Sequence, residues 1–270
     1  MQVEGNSQNQ NIAHKSRSSE SDLCLADWDC DSSVNVEAMA VYSGVTPRHL
    51  APVVHLLGVM GIVLMIVWTY SFRGGYGLSG AAVFNLHPLI MFAGFIFLSS
   101  EAIVVYKLVN GEKVYQKAVH MTVQGVAIFL AIVGVCAAYK FHIDNGIQNF
   151  YSLHSWFGVM TIVLYVVQWG LGFVAFWQQS VVKAKRAELL PWHVFVGIAA
   201  YAAALATAEL GLLEKLTFLQ KGASPLGLWS SEAMLVNFIG IAIFAYGASV
   251  VLTTLVPNSR KEAGYRDLLE

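Results

Sequence analysis

From Leu50 onward the chain is a succession of long apolar runs divided by short polar separators. Six runs stand out, at about 50–71, 84–108, 115–140, 151–178, 190–213 and 231–256. Each reaches the ~20 residues that a helix needs to cross a bilayer core. The separators carry glycine, proline or charge, as in Arg73-Gly74-Gly75, Asn110-Gly111-Glu112-Lys113 and Asp144-Asn145-Gly146, with two more at 183–188 and 221–225. Links this short make successive helices antiparallel neighbours. Residues 1–47 have no apolar period and are rich in Ser, Asn, Asp and Glu. That is the composition of a disordered tail, and it lacks the charged–apolar–small order of a removable leader. The expected organisation is a polar tail at 1–47, a six-helix membrane domain at 48–256 and a second tail at 257–270.

Composition agrees with a polytopic membrane protein. Of 270 residues, 56% are hydrophobic and 12% charged, where soluble domains carry about a quarter charged; mean hydropathy is +0.58. A net charge of −1 without a basic block gives no sign of a nucleic-acid partner. The three cysteines, Cys24, Cys30 and Cys136, form neither CxxC nor CxxCH. A thiolate metal site and covalent c-type haem are therefore unsupported. Lys and Arg fix an orientation. Twelve fall with the two tails and the second and fourth loops, and four (Arg73, Lys140, Lys215, Lys221) fall on the other face. The positive-inside rule then puts both termini in the cytosol, where Cys24 and Cys30 are expected as free thiols.

Four histidines carry the candidate chemistry. His87, His120, His154 and His193 recur at nearly even intervals, one helix plus one loop each time. Successive antiparallel spans start on opposite faces, so His120 and His193 fall toward the cytosol and His87 and His154 toward the other side. A histidine inside a membrane is costly unless it is paired or ligating. Any one of them is also readable as an interfacial histidine bonded to backbone; four in alternation are harder to read that way. Zinc would gather three or four ligands at one point. Two imidazoles per face instead suit the axial positions of one haem iron on each side. Pro88 and Pro191 suit the first turn of a helix, which would place His87 and His193 near helix starts. The two irons are then expected on the order of 20 Å apart. The fold class expected is an all-α integral membrane protein of six transmembrane helices, the central four forming a bundle around two haems.

The same contexts carry a resemblance. Phe72-Arg73-Gly74-Gly75, Asn85-Leu86-His87-Pro88, Lys140-Phe141-His142-Ile143-Asp144, Tyr151-Ser152-Leu153-His154-Ser155-Trp156, Pro191-Trp192-His193 and Ser231-Glu232-Ala233-Met234-Leu235-Val236-Asn237 resemble the cytochrome b561 family, particularly its plant ascorbate-dependent members. The resemblance spans about residues 50–256 and implies two haem b groups, cytosolic ascorbate as electron donor, and monodehydroascorbate or ferric chelates as acceptor. It implies the same histidine pairs. It also implies a homodimer, and a vacuolar membrane first, with plasma membrane or another endomembrane as alternatives. For ascorbate, Lys113, Lys117 and Arg186 are candidates by charge near His120 and His193, although the positive-inside bias alone puts cations there; Tyr106 and Lys107 match the family's binding segment. Lys140, Phe141, His142, Asn149 and Tyr151 are candidates for the opposite substrate. Arg73 is a candidate partner of a haem propionate. His49 and His55 read as structural, and Glu101 and Glu209 receive no role. Two other functions compete. A quinol-oxidising di-haem subunit would need a docking surface that the short loops do not offer. A small-solute transporter would carry helices broken at mid-membrane, whereas the prolines here are expected at helix ends.

Overall fold

The computed structural model describes residues 44–178 and 180–257. Six helices long and apolar enough to cross a membrane follow one another. They are α1 (Pro47–Arg73), α2 (Ala81–Leu108), α3 (Lys113–Asp144), α4 (Leu153–Trp177), α5 (Lys183–Lys221) and α6 (Ser231–Leu255). Among the described residues there is no strand. The expected tails, with Cys24 and Cys30, lie outside the described residues apart from positions 44–47 and 257. The face where α1 begins and α6 ends is called here the terminal face; the loops after α1, α3 and α5 make the opposite face.

Local chemistry sets the helix ends. Pro47 opens α1, and the Thr46 N–H donates to Nδ1 of His49 at 3.2 Å, so His49 is a cap. Gly74 closes the same helix at φ 77°, its N–H reaching the Thr69 carbonyl. Ser152 and Ser230 cap α4 and α6 by accepting from the N–H groups of Ser155 and Ala233.

Two sequence expectations change. Helices α1, α2, α3 and α5 outrun their apolar runs, most of all α5, with 39 residues where the run covers 190–213. At ~1.5 Å per residue α5 is about 58 Å long, roughly twice the hydrocarbon core. Hydropathy sees only the segment in lipid. For the same reason Pro88 and Pro191 are not at first turns but inside α2 and α5. Each helix starts earlier, in interfacial sequence that carries no apolar signal. Shortly after Pro88 the backbone of α2 widens into a π-helical stretch, Met91–Leu98, an accommodation expected near a missing N–H. A second π-helical turn, Phe173–Trp177, ends α4.

Helices α2, α3, α4 and α5 close a ring by packing each on the next, while α1 and α6 pack on each other and flank it. One buried core joins α1, α2, α5 and α6 through Trp68, Phe92, Tyr201, Ile239, Ile243 and Tyr246. A smaller one fills the middle of the ring with Phe95, Ala131, Tyr165, Ala200 and Ala204. Outward-facing residues such as Leu56, Phe129 and Phe244 are exposed, as a lipid-bathed surface requires. Association in lipid then rests on close packing and buried polar bonds. Trp68 donates from Nε1 to Glu232 at 2.9 Å, Arg73 pairs with the other Glu232 oxygen, and Asn85 donates to the Gly75 carbonyl at 2.6 Å.

Candidate functional site

The four central helices bring the histidines together in two pairs. The rings of His87 and His154 lie with centroids 6.0 Å apart, those of His120 and His193 6.3 Å apart. Among the described residues no group of three or more His, Cys, Asp or Glu gathers as for a metal ion. Three rings are oriented by backbone: Nδ1 of His87 donates to the Gly134 carbonyl at 2.9 Å, His120 to Ala102 at 2.7 Å and His154 to Thr207 at 2.9 Å. A carbonyl can only accept, so the proton sits on Nδ1 and the Nε2 lone pair is free. The fourth differs. Gln168 Nε2 lies 3.0 Å from Nδ1 of His193 and donates to its carbonyl at 2.5 Å.

These anchors are reciprocal. In the hairpin of α2 and α3, each helix carries one histidine and the anchor of the other; the same holds for α4 and α5. Histidine and anchor are His120 and Gly134 on α3, His154 and Gln168 on α4, and His193 and Thr207 on α5, the same interval in each case. On α2 they are His87 and Ala102, one position further apart, with the π-helical stretch between them. At ~1.5 Å per residue the shared interval rises about 21 Å, which separates the two pairs along the bundle. Each pair joins one hairpin to the other.

A cavity of about 280 Å³ runs from His87 and His154 to the opposite face. Of the five residues expected there, Phe141, His142, Asn149 and Tyr151 line it. His142 Nδ1 bonds Asn149 Oδ1 at 2.9 Å. Phe141 packs on Phe84 with centroids 5.1 Å apart, and Phe84 lies 6.0 Å from His87, so aromatic rings connect the cavity mouth to the histidine. Partial burial and then the nearby Glu214 carboxylate push the Tyr151 phenol up from its usual value of 10, which keeps it a neutral donor at physiological pH. Lys140 does not line the cavity. It forms an exposed i,i+4 pair with Asp144 at 2.8 Å. Arg73 is committed to Glu232, though its Nε is buried without a hydrogen-bond partner among the described residues.

At the terminal face Tyr106 lies beside His120, centroids 5.5 Å apart, and Phe176 beside His193 at 5.1 Å. Phe176 is presented there by the π-helical end of α4. Lys107 donates to the Val256 carbonyl at 2.8 Å, tying α2 to the end of α6. Arg186 donates to the Val181 carbonyl at 2.8 Å. Lys113 is exposed and Lys117 half-buried. His55 and Glu101 pair at 3.1 Å between α1 and α2. Sequence reasoning passed over Phe84, Gln168, Glu214 and Glu232 as site residues, and counted Lys215 only for topology. The repeated ligand-to-anchor interval was the signal available for Gln168; nothing in the sequence distinguished the others.

The geometry fits a haem between each pair. Two metal–nitrogen bonds of about 2 Å plus the half-widths of two imidazoles come to about 6 Å, the separation observed in both pairs. Close approach is built in. A Cβ on Gly211 would lie 2.8 Å from Cε1 of His154, and one on Gly172 2.9 Å from Cε1 of His193.

Comparison with known proteins gives the family. The family described as Eukaryotic cytochrome b561 matches residues 86–219. Transmembrane ascorbate ferrireductase 2 of Arabidopsis thaliana is 46% identical over 213 residues, covering 78% of this chain and 92% of that protein. In Oryza sativa subsp. japonica, Probable ascorbate-specific transmembrane electron transporter 2 is 45% identical over 230 residues, 83% of this chain and 96% of its own. Probable ascorbate-specific transmembrane electron transporter 1 of the same organism is 44% identical over 223 residues, covering 81% of this chain and 94% of its own. Six membrane-spanning helices, paired imidazoles and these relatives lead to one conclusion: the chain is a multi-pass membrane protein of the cytochrome b561 family, a family of b-type haem proteins.

Proposed function

We propose that this protein carries two b-type haems, one at His87 and His154 and one at His120 and His193, and passes single electrons from cytosolic ascorbate to monodehydroascorbate or ferric chelates on the opposite face. The observation that carries this reading is the reciprocal anchoring of two histidine pairs ~21 Å apart along the bundle. The names of the relatives, ascorbate ferrireductase and ascorbate-specific electron transporter, support the donor and the reaction class. The distribution of Lys and Arg supports cytosolic termini. Resemblance to plant members supports a vacuolar membrane first and a plasma membrane second, and a homodimer.

Each haem, when bound, supplies a one-electron Fe(III)/Fe(II) couple. The chain does the rest. Carbonyls accepting from Nδ1 fix the ring orientation and raise the basicity of Nε2. Phe95 and Tyr165, centroids 4.5 Å apart, fill the bundle between the pairs and keep water and ions out of the electron's path. At the terminal face Lys113, Lys117 and Arg186 attract the ascorbate monoanion, and Tyr106, with Lys107 beside it, lies against His120. Loss of one electron converts that anion to its radical and releases a proton to water. At the other end Phe141, His142, Asn149 and Tyr151 offer the acceptor an aromatic, hydrogen-bonding rim beside His87.

Pro52, Pro88 and Pro191 lie within helices, so proline position no longer counts against a solute transporter; family membership does. The deciding experiment records oxidised and ascorbate-reduced spectra of the purified chain with haem quantified. About two low-spin b haems per chain, reduced by ascorbate, are expected. Haem reduced only by a quinol would move the function to a quinol-oxidising subunit, and a folded preparation without haem would sink both.

A further inference from the structure

We propose that Lys215 is a carboxylate-binding residue of the opposite-face cavity, an assignment that rests on the electron-transfer reading above. Four basic residues belong to that face: Arg73, Lys140, Lys215 and Lys221. Arg73 is neutralised by Glu232 and Lys140 by Asp144. Lys221 is exposed at the end of α5 and does not line the cavity. Lys215 does line it, and among the described residues it makes no ion pair. Its Nζ stands 4.2 Å over the Phe84 ring. That ring packs on both His87 and Phe141.

An ammonium carries three donors, and an aromatic face satisfies its charge only in part. Neither nearby carboxylate is ion-paired with it. Glu232 holds Arg73 and the Trp68 indole, and Glu214, which lines the same cavity, accepts from Ser152 at 3.0 Å. A cation within a membrane-spanning helix, facing a cavity, calls for a counter-charge. The donors of Lys215 therefore await an anion from outside the chain, next to the aromatic contact with His87. Carboxylate chemistry fits, and it has two sources: a propionate of the haem held by His87 and His154, or a carboxylate of an anionic ferric chelate. In either case Lys215 binds and positions; no bond is made or broken at its nitrogen, and the electron passes from reduced haem to Fe(III) of the chelate.

The test uses the full chain, K215Q and K215R, reduced with ascorbate and reoxidised by ferric citrate or by hexaammineruthenium(III), a cation without carboxylates. If the chelate is the ligand, K215Q raises KM for ferric citrate on the order of tenfold, as for one lost charged contact. The cationic oxidant is then used no worse, haem content is unchanged, and K215R restores KM. If a propionate is the ligand, K215Q lowers the occupancy or shifts the midpoint potential of one haem and slows both oxidants alike. Wild-type behaviour of K215Q in KM, haem content and potential overturns the assignment. Failure of ascorbate to reduce the wild-type protein overturns the electron-transfer reading itself and is distinguishable from all of these.

Discussion

The two ends of the bundle hold equivalent histidine pairs in different settings. At the terminal face one ring is fixed by a carbonyl and the other by the Gln168 amide; Tyr106 and Phe176 cover them, and Lys113 and Lys117 stand outside with no ion pair among the described residues. At the opposite face both rings are fixed by carbonyls, a cavity reaches them, and Arg73 and Lys140 are tied up in ion pairs. Counting cations by face therefore gives topology, while counting which of them remain unpaired gives chemistry. By the second count the terminal face has a basic rim suited to an anionic donor, and the opposite face has Lys215.

The largest effect should come from breaking one pair. His154→Ala should leave about one haem per chain instead of about two, with the spectrum of the remaining one unchanged; equal loss of both would mean that the ends are not separable. Next comes the ion pair that closes the opposite end. Glu232→Gln leaves a largely buried Arg73 without its counter-charge and should cost about 3–5 kcal/mol, read as a fall in thermal midpoint in detergent. Gly211→Ala pushes a methyl against His154 and should weaken haem retention at that end about tenfold or more. Haem titration is the measurement, with Gly170→Ala, whose Cβ meets nothing within 4 Å, as control. Smallest is Lys140→Ala. Its exposed pair should contribute no more than about 0.5 kcal/mol, and KM for an anionic acceptor should stay put; a large rise would restore Lys140 to the site at the expense of Lys215.

Much of this was legible in the sequence because lipid simplifies the code. A long apolar run has few alternatives to a spanning helix, so all six elements and their order were readable. Four isolated histidines in such helices were equally plain, and their pairing followed from alternation. The helix ends were not legible, since α3 and α5 continue into water where hydropathy is silent. Ion pairs were not legible either. Arg73 and Glu232 come from the first and last helices of the bundle, and no local pattern tells that Glu232 will neutralise Arg73 and leave Lys215 unpaired. Gln168 lay in plain view at the right interval, but an interval acquires meaning only once the partner helix is known.

That interval has a consequence for insertions and deletions. Histidine and anchor keep one spacing on α3, α4 and α5 and a spacing longer by one position on α2, where the π-helical stretch Met91–Leu98 takes up the addition. One residue lost between ligand and anchor on α3, α4 or α5 would turn one of them about 100° off its face. One residue lost from within Met91–Leu98 would instead let α2 relax to a regular helix with both groups still in register. Loop lengths lie outside this constraint; three of the four intervals in this chain are bound by it, and the fourth has one residue to spare.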